Sequence, residues 1–306
     1  MLARLQRVIA FTLLLFVAVW AGICIQWGDA RWAPGGLLLV LGVYLAVLGL
    51  QFLFLRASYR RGDSLAPRSS ELISSWMAEA LAAPRVFLWR QPFRSLSESD
   101  LSGPSFAGQR GVVLVHGFFC NRGIWNPWMK RFRAQGIPFA AVNLEPVFGP
   151  IDDYRGAIDA AVLSLHGDTG LAPIIVAHSM GGLAVRTWLA TPGAIDRFHR
   201  VVTIASPHRG TRLARFGHTA NGIQMRENGS WLEQLVSRED RSCWQRFVCF
   251  WSHCDNIVFP TPSATLPGAD NRHLRATPHV RMVDHAEVIG AVVEIALSSS
   301  STPRRT

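Results

Sequence analysis

Two stretches near the start of the chain carry no charged residue: 8–27 (VIAFTLLLFVAVWAGICIQW) and 36–55 (GLLLVLGVYLAVLGLQFLFL). Each holds roughly 20 residues, or about 30 Å as a helix, which matches the hydrocarbon thickness of a bilayer. In hydrocarbon every backbone polar group must be satisfied within its own segment, so such runs are restricted to helices. Between them lies a short turn with Asp29, Arg31, Pro34 and Gly35. The pattern predicts a transmembrane helical hairpin over residues 1–56. Neither run has a polar face to meet water, which argues against a hairpin of a soluble core. A cleaved signal peptide over residues 1–27 fits poorly, because the apolar run is long and a second one follows at once.

The charges orient the hairpin. Arg4 and Arg7 precede the first run, and Arg56, Arg60, Arg61 and Arg68 follow the second, while the turn holds only Arg31. The excess of positive charge on cytoplasmic flanks puts both ends, and the rest of the chain, on the cytoplasmic side of the inner (plasma) membrane. The whole chain is basic, with 31 Lys+Arg against 21 Asp+Glu, and Lys130 is its one lysine. That balance suits an anionic membrane surface. No zinc-finger spacing or RNA-binding aromatic motif accompanies it, so no nucleic-acid partner is expected. The five cysteines are irregularly spaced and read as free thiols, not as a disulfide framework or a zinc site.

Residues 57–110 read as a connector. Ser69 or Ser70 starts a helix that Pro84 should stop, with Leu72, Ile73, Trp76, Met77, Ala80 and Leu81 on its apolar side. That side suits either the membrane surface or the next domain. From Gly111 short β-branched runs alternate with helical stretches. Strands are predicted over 112–115, 139–143, 174–177, 201–205, 247–252 and 280–283, and helices over 125–135, 152–166, 180–190 and 286–298. Such alternation argues a mostly parallel sheet with helices on both faces, here over 111–298. A flexible tail, 299–306, follows.

Two segments carry chemistry. Ala177-His178-Ser179-Met180-Gly181-Gly182 follows a strand and opens a helix. A serine nucleophile needs that sharp turn so that its hydroxyl projects above the sheet. Crowding there demands small residues two before and two after the serine, and Ala177 and Gly181 comply. Val112-Val113-Leu114-Val115-His116-Gly117-Phe118-Phe119 runs a strand into a loop. Backbone N–H groups of Phe118 and Met180, one from each segment, would meet an oxyanion between them.

Together these segments resemble the α/β-hydrolase superfamily, and most closely its bacterial lipases and esterases. His116-Gly117 resembles their oxyanion-hole motif. The hexapeptide around Ser179 resembles the nucleophile elbow of small bacterial lipases, where alanine also replaces the first glycine. Ala205-Ser206-Pro207-His208-Arg209-Gly210-Thr211 resembles a strand end shared by many lipases, and Gln224-Met225-Arg226-Glu227-Asn228-Gly229-Ser230-Trp231-Leu232 a segment of esterase relatives. The likeness covers most of the chain after Gly111 and nothing of the hairpin.

The resemblance implies an α/β-hydrolase fold and a triad in the order Ser, acid, His. The acid belongs after a late strand, where Trp251-Ser252-His253-Cys254-Asp255-Asn256 lies. Asp255 is the choice and Asp270 the runner-up. The base belongs between the last strand and the last helix, and Val283-Asp284-His285-Ala286 supplies His285. His279 is set aside, as lying ahead of the functional end of its element. Some larger relatives bind calcium beside the catalytic histidine. Glu287 stands there, but its companion aspartate is not evident, so neither metal nor cofactor is expected. Residues 212–236, with Gly217, Gly222 and Gly229 among apolar residues, suit either a mobile lid or a fixed cap. Phe118, Phe119, Trp125 and Trp128 suit either a substrate pocket or the core. The expected reaction is hydrolysis of a lipid-like acyl ester through an acyl-enzyme. The same residues also suit an acyltransferase or thioesterase, and an inactive hydrolase scaffold used for membrane interaction is a third reading.

Overall fold

The computed structural model describes residues 1–60 and 62–298; Arg61 and the tail 299–306 lie outside it. Both apolar runs are helical: α1 spans Leu2–Trp27 and α2 spans Gly35–Ser58. Each is long and apolar enough to cross a membrane, and little of either is buried within the chain. The outward faces are bare hydrocarbon, with Phe11, Leu14, Leu15, Leu39 and Leu53 more than half exposed. The hairpin closes by contact of α2 with the Trp20 ring. A Cβ on Gly36 would come within 2.8 Å of that ring, so glycine is what allows the approach.

Helix α3 spans Ser69–Pro84. The chain does not leave the helical path at Pro84. A wide π-helical stretch, Arg85–Arg90, leads on into α4, Gln91–Arg94. Proline has no N–H for the carbonyl four residues back, that of Ala80. The hydroxyl of Tyr44, from α2, donates to that carbonyl instead at 3.1 Å. Leu72, Trp76 and Ala80 pack against Leu48, Phe52 and Leu55 of α2, while Ile73, Met77 and Leu81 stay exposed. The apolar residues of α3 thus divide between α2 and the outside.

The remaining chain alternates strand and helix: β1 (Val112–Val115), α5 (Asn126–Ala134), β2 (Phe139–Ala141), α6 (Arg155–Thr169), β3 (Ile174–His178), α7 (Met180–Leu189), β4 (Arg200–Ile204), α8 (Ala220–Gln224), α9 (Ser230–Arg238), β5 (Phe247–Trp251), β6 (Asp270–His273) and α10 (Ala286–Ser298). The strands form one sheet in the order β2-β1-β3-β4-β5-β6, parallel throughout. Successive residues face opposite sides. Val112, Leu114, Ile174 and Val176 enter one apolar layer with residues of α5 and α10. Val113, Val115, Ile175 and Ala177 enter the other with residues of α6 and α7. Burial on both faces explains why these strands read as continuous apolar runs.

One strand is misplaced by the sequence pattern. Val280–Val283 is not a strand; Arg281–Asp284 forms a tight 3-10 turn. The last strand is β6, whose residues Asp270, Asn271, Arg272 and His273 are polar and largely exposed. It is an edge strand with no apolar run to reveal it.

Candidate active site

All loops that leave the sheet at the carboxyl ends of its strands gather on one edge, where open α/β sheets bind ligands. Ser179 sits at the β3–α7 turn with φ 54° and ψ −128°, a left-handed conformation that a non-glycine residue adopts only under constraint. The constraint comes from the neighbours. Its N–H donates to Ile204 O at 2.8 Å, pinning the turn to β4. A Cβ on Gly181 would lie 2.6 Å from His116 O, and one on Gly182 would lie 2.2 Å from Ser206 Oγ. The helix after the serine fits against the β1 loop at Gly181 and the end of β4 at Gly182 only because those positions lack side chains.

The β1 loop closes over the same turn. A Cβ on Gly117 would meet Ser179 Cβ at 2.8 Å, so the backbone at Gly117 runs directly beside Ser179. Phe119 has φ 54°. His116 shapes this loop and does no titrating. Its Nδ1 lies 2.9 Å from Gly117 O and its Nε2 accepts the Leu144 N–H at 3.0 Å. Those roles require the neutral ring with its proton on Nδ1. Burial agrees, lowering its pKa to about 4.

Asp255 follows β5 and is buried. Its Oδ1 accepts the N–H groups of Ile257 and Val258, each at 2.9 Å. The same carboxylate faces Nδ1 of His279, at 3.0 Å from Oδ1 and 3.1 Å from Oδ2. His279, not His285, makes the carboxylate–imidazole pair. His285 stands at the start of α10, its Nδ1 buried without a partner, and the preceding Asp284 binds Arg90 at 2.8 Å. The physical reason is the edge strand. Once β6 is the last strand, the loop between it and the final helix begins at Leu274 and carries His279. The runner-up acid, Asp270, lies within β6 and pairs with Arg272.

Ser179, His178 and His279 line one cavity of about 400 Å³. The His178 and His279 rings lie 4.7 Å apart, centroid to centroid. Burial, reinforced by the neighbouring His279, holds the His178 imidazolium far below its ordinary range. His279 behaves oppositely. Burial pulls it down, but the charge and hydrogen bond of Asp255, with a contribution from Glu79, outweigh that and raise it. Glu79, on α3, is buried and pushed up to about 7, chiefly by desolvation. Its two oxygens accept the N–H groups of Val280 (2.8 Å) and Arg281 (3.2 Å), the residues that follow His279.

Phe118 and Phe119 line the cavity; Trp125 and Trp128 do not. Those tryptophans, at the start of α5, are fully buried, and Trp128 Nε1 donates to Val283 O at 2.8 Å. Nor does residue 212–236 cover the serine. Asn221 donates to Val147 O, while Gln224 and Trp231 both donate to Asp152, which ties the segment down beside α6. The wall over Ser179 comes from α2 and α3 instead. Cys120 also lines the cavity, its thiol raised to about 12 by burial.

The alpha/beta hydrolase family model matches residues 112–293, more than half of the chain. The chain belongs to that family. No curated protein matches it. Among solved structures, the mature form of Bacillus licheniformis lipase BlEst2 is similar at 16% identity and a TM-score of 0.54, over 62% of this chain and 92% of that one. Aspergillus fumigatus lipase B is similar at 17% identity and a TM-score of 0.55, over 62% of this chain and 53% of the lipase, so this chain spans about half of its length. Both share the alpha/beta hydrolase fold with this chain at low identity.

Proposed function

We propose that the protein is a membrane-anchored serine hydrolase that cleaves acyl esters through Ser179, His279 and Asp255. In this mechanism His279 removes the Ser179 proton as the hydroxyl attacks the ester carbonyl, then returns it to the leaving alcohol. Asp255 holds the ring with its proton on Nδ1 and stabilises the imidazolium. The amides of Phe118 and Met180 receive the oxyanion, and the N-terminus of α7 adds a favourable dipole. An acyl-enzyme forms on Ser179 and water releases the acid. The observation that carries the reading is the buried Asp255–His279 pair in the cavity that holds Ser179 on a strained strand–helix turn.

The lipid-like substrate is inferred from that cavity's apolar lining and from the hairpin. α1 and α2 are read as spans over residues 1–56, residues 57–110 as a connector, and 111–298 as the catalytic domain on the cytoplasmic side, where Arg4, Arg7, Arg56, Arg60 and Arg68 favour it. A fluorophosphonate probe tests the chemistry. The purified full-length protein should be labelled and Ser179→Ala should not; equal labelling of both would refute the assignment. A reporter fused after Thr306 should read cytoplasmic, and a periplasmic readout would reverse the orientation.

A further inference from the structure

The cavity at Ser179 is not built by the hydrolase domain alone. Tyr44, Val47, Leu48 and Gln51 of α2 line it together with Phe118 and Phe119. The phenylalanines belong to an aromatic cluster with Phe148, whose ring lies 5.9 Å from that of Phe118 and 6.2 Å from that of Phe119. Val47 is 55% exposed, so it stands where the cavity meets the surroundings of α2. At about 1.5 Å per residue, Gln51 and Tyr44 lie about 10 and 21 Å along the helix from Ser58. If α2 crosses the bilayer, that stretch sits among acyl chains, well below the charged flank at Arg56. The neighbouring surface is apolar there: Leu50 and Leu53 beside it, and Leu81 on the adjoining α3, are exposed.

We infer that α2 is a wall of the acyl-binding site, and that the substrate is a long-chain ester drawn from the membrane with its chain lying against Val47 and Leu48. This rests on the assignment of Ser179 as nucleophile and adds where the chain lies and from which phase it comes. Burying a long chain there removes apolar surface from water only if the chain was in water at the outset. Drawn from lipid, its selectivity comes from shape, so the wall should set chain length.

The test compares oleoyl and butyryl esters of one alcohol, using full-length protein in phosphatidylcholine vesicles. Val47→Trp fills the mouth and should lower the oleoyl-to-butyryl ratio of kcat/KM by about tenfold or more, the scale of a misfit in an apolar pocket. Val47→Phe should give a smaller fall in the same direction. Leu53→Trp, on the same helix but away from the cavity, should leave that ratio within about twofold. Wild-type turnover of the oleoyl ester should follow its mole fraction in the vesicles at constant bulk concentration. An unchanged ratio in Val47→Trp and Val47→Phe, an equal fall in Leu53→Trp, or a rate that follows bulk concentration overturns the inference while leaving Ser179 chemistry standing. Absence of both hydrolysis and probe labelling takes down both.

Discussion

The nucleophile turn and the loop that carries His279 are held in different ways. Ser179 is fixed by its own domain. The N–H bond to β4 and the close approaches at Gly117, Gly181 and Gly182 all come from within the sheet and its loops. The His279 loop depends on the N-terminal segment. Ser75 Oγ of α3 donates to Ala276 O at 3.0 Å, and Glu79 accepts from Val280 and Arg281. Gln51 of α2 accepts from Asn256 Nδ2 at 2.7 Å, and Asn256 Oδ1 accepts the His279 N–H at 3.2 Å. The family match begins at residue 112, so these braces lie outside it. The N-terminal helices thus contribute side chains that brace the candidate site.

The largest effect separates the two histidines. His279→Ala should lower kcat/KM by about 10⁴-fold, as loss of a triad member does, whereas His285→Ala should stay within about threefold. The reverse result, read by ester hydrolysis on folded protein, would return the base to His285 and dissolve the contrast between the two loops. Gly117→Val comes next. Its side chain would collide with Ser179 Cβ and His178 O, both backbone-anchored, so probe labelling should fall about a hundredfold and Tm should drop, since overpacking costs about 1–3 kcal/mol. Normal labelling would mean that the oxyanion loop yields more easily than its packing implies.

The strained turn at Ser179 was legible in sequence because its requirements are local: a strand, a serine and small residues at fixed offsets. The carboxylate of the buried pair was legible for a similar reason, since β5 is an apolar run and Asp255 follows it closely. The base was not. β6 is an edge strand of Asp270, Asn271, Arg272 and His273, polar residues that carry no strand signature, and Val280–Val283 imitates one while forming a helical turn. Its apolar side chains are buried because α10 and α5 pack on them, a tertiary cause that periodicity does not record. Pro84 misled similarly. It ends helices by removing a donor, and the compensating donor, Tyr44, lies in α2, 36 residues before the Ala80 carbonyl it serves.

A gentler break of the brace is Gln51→Ala. It leaves Asn256 Nδ2 without its acceptor and loosens the carbonyl that holds His279 N–H. A lost buried hydrogen bond is worth about 1–3 kcal/mol, so kcat should fall about tenfold, with KM for a butyryl ester changed little. Gln51→Glu, which restores an acceptor, should recover part of the loss. A change confined to KM would make Gln51 a contact of the substrate and not a positioning residue.

The smallest effect is one of pH. In the proposed mechanism His279 must be neutral in the free enzyme, so kcat/KM should rise with pH through the His279 pKa. That pKa is raised: burial opposes it, but Asp255 and Glu79 favour the imidazolium and prevail. The acid limb should therefore lie above the ordinary histidine range. Glu79→Gln removes one of the two favourable charges and keeps an oxygen to accept from Val280 or Arg281. With less to stabilise the imidazolium, the His279 pKa falls and the acid limb moves to lower pH. Ser75→Ala, which loosens the same loop without touching charge, should reduce kcat and leave the limb in place. If both variants shift the limb alike, Glu79 acts on His279 through the position of the loop alone, and the connector braces the base without tuning it.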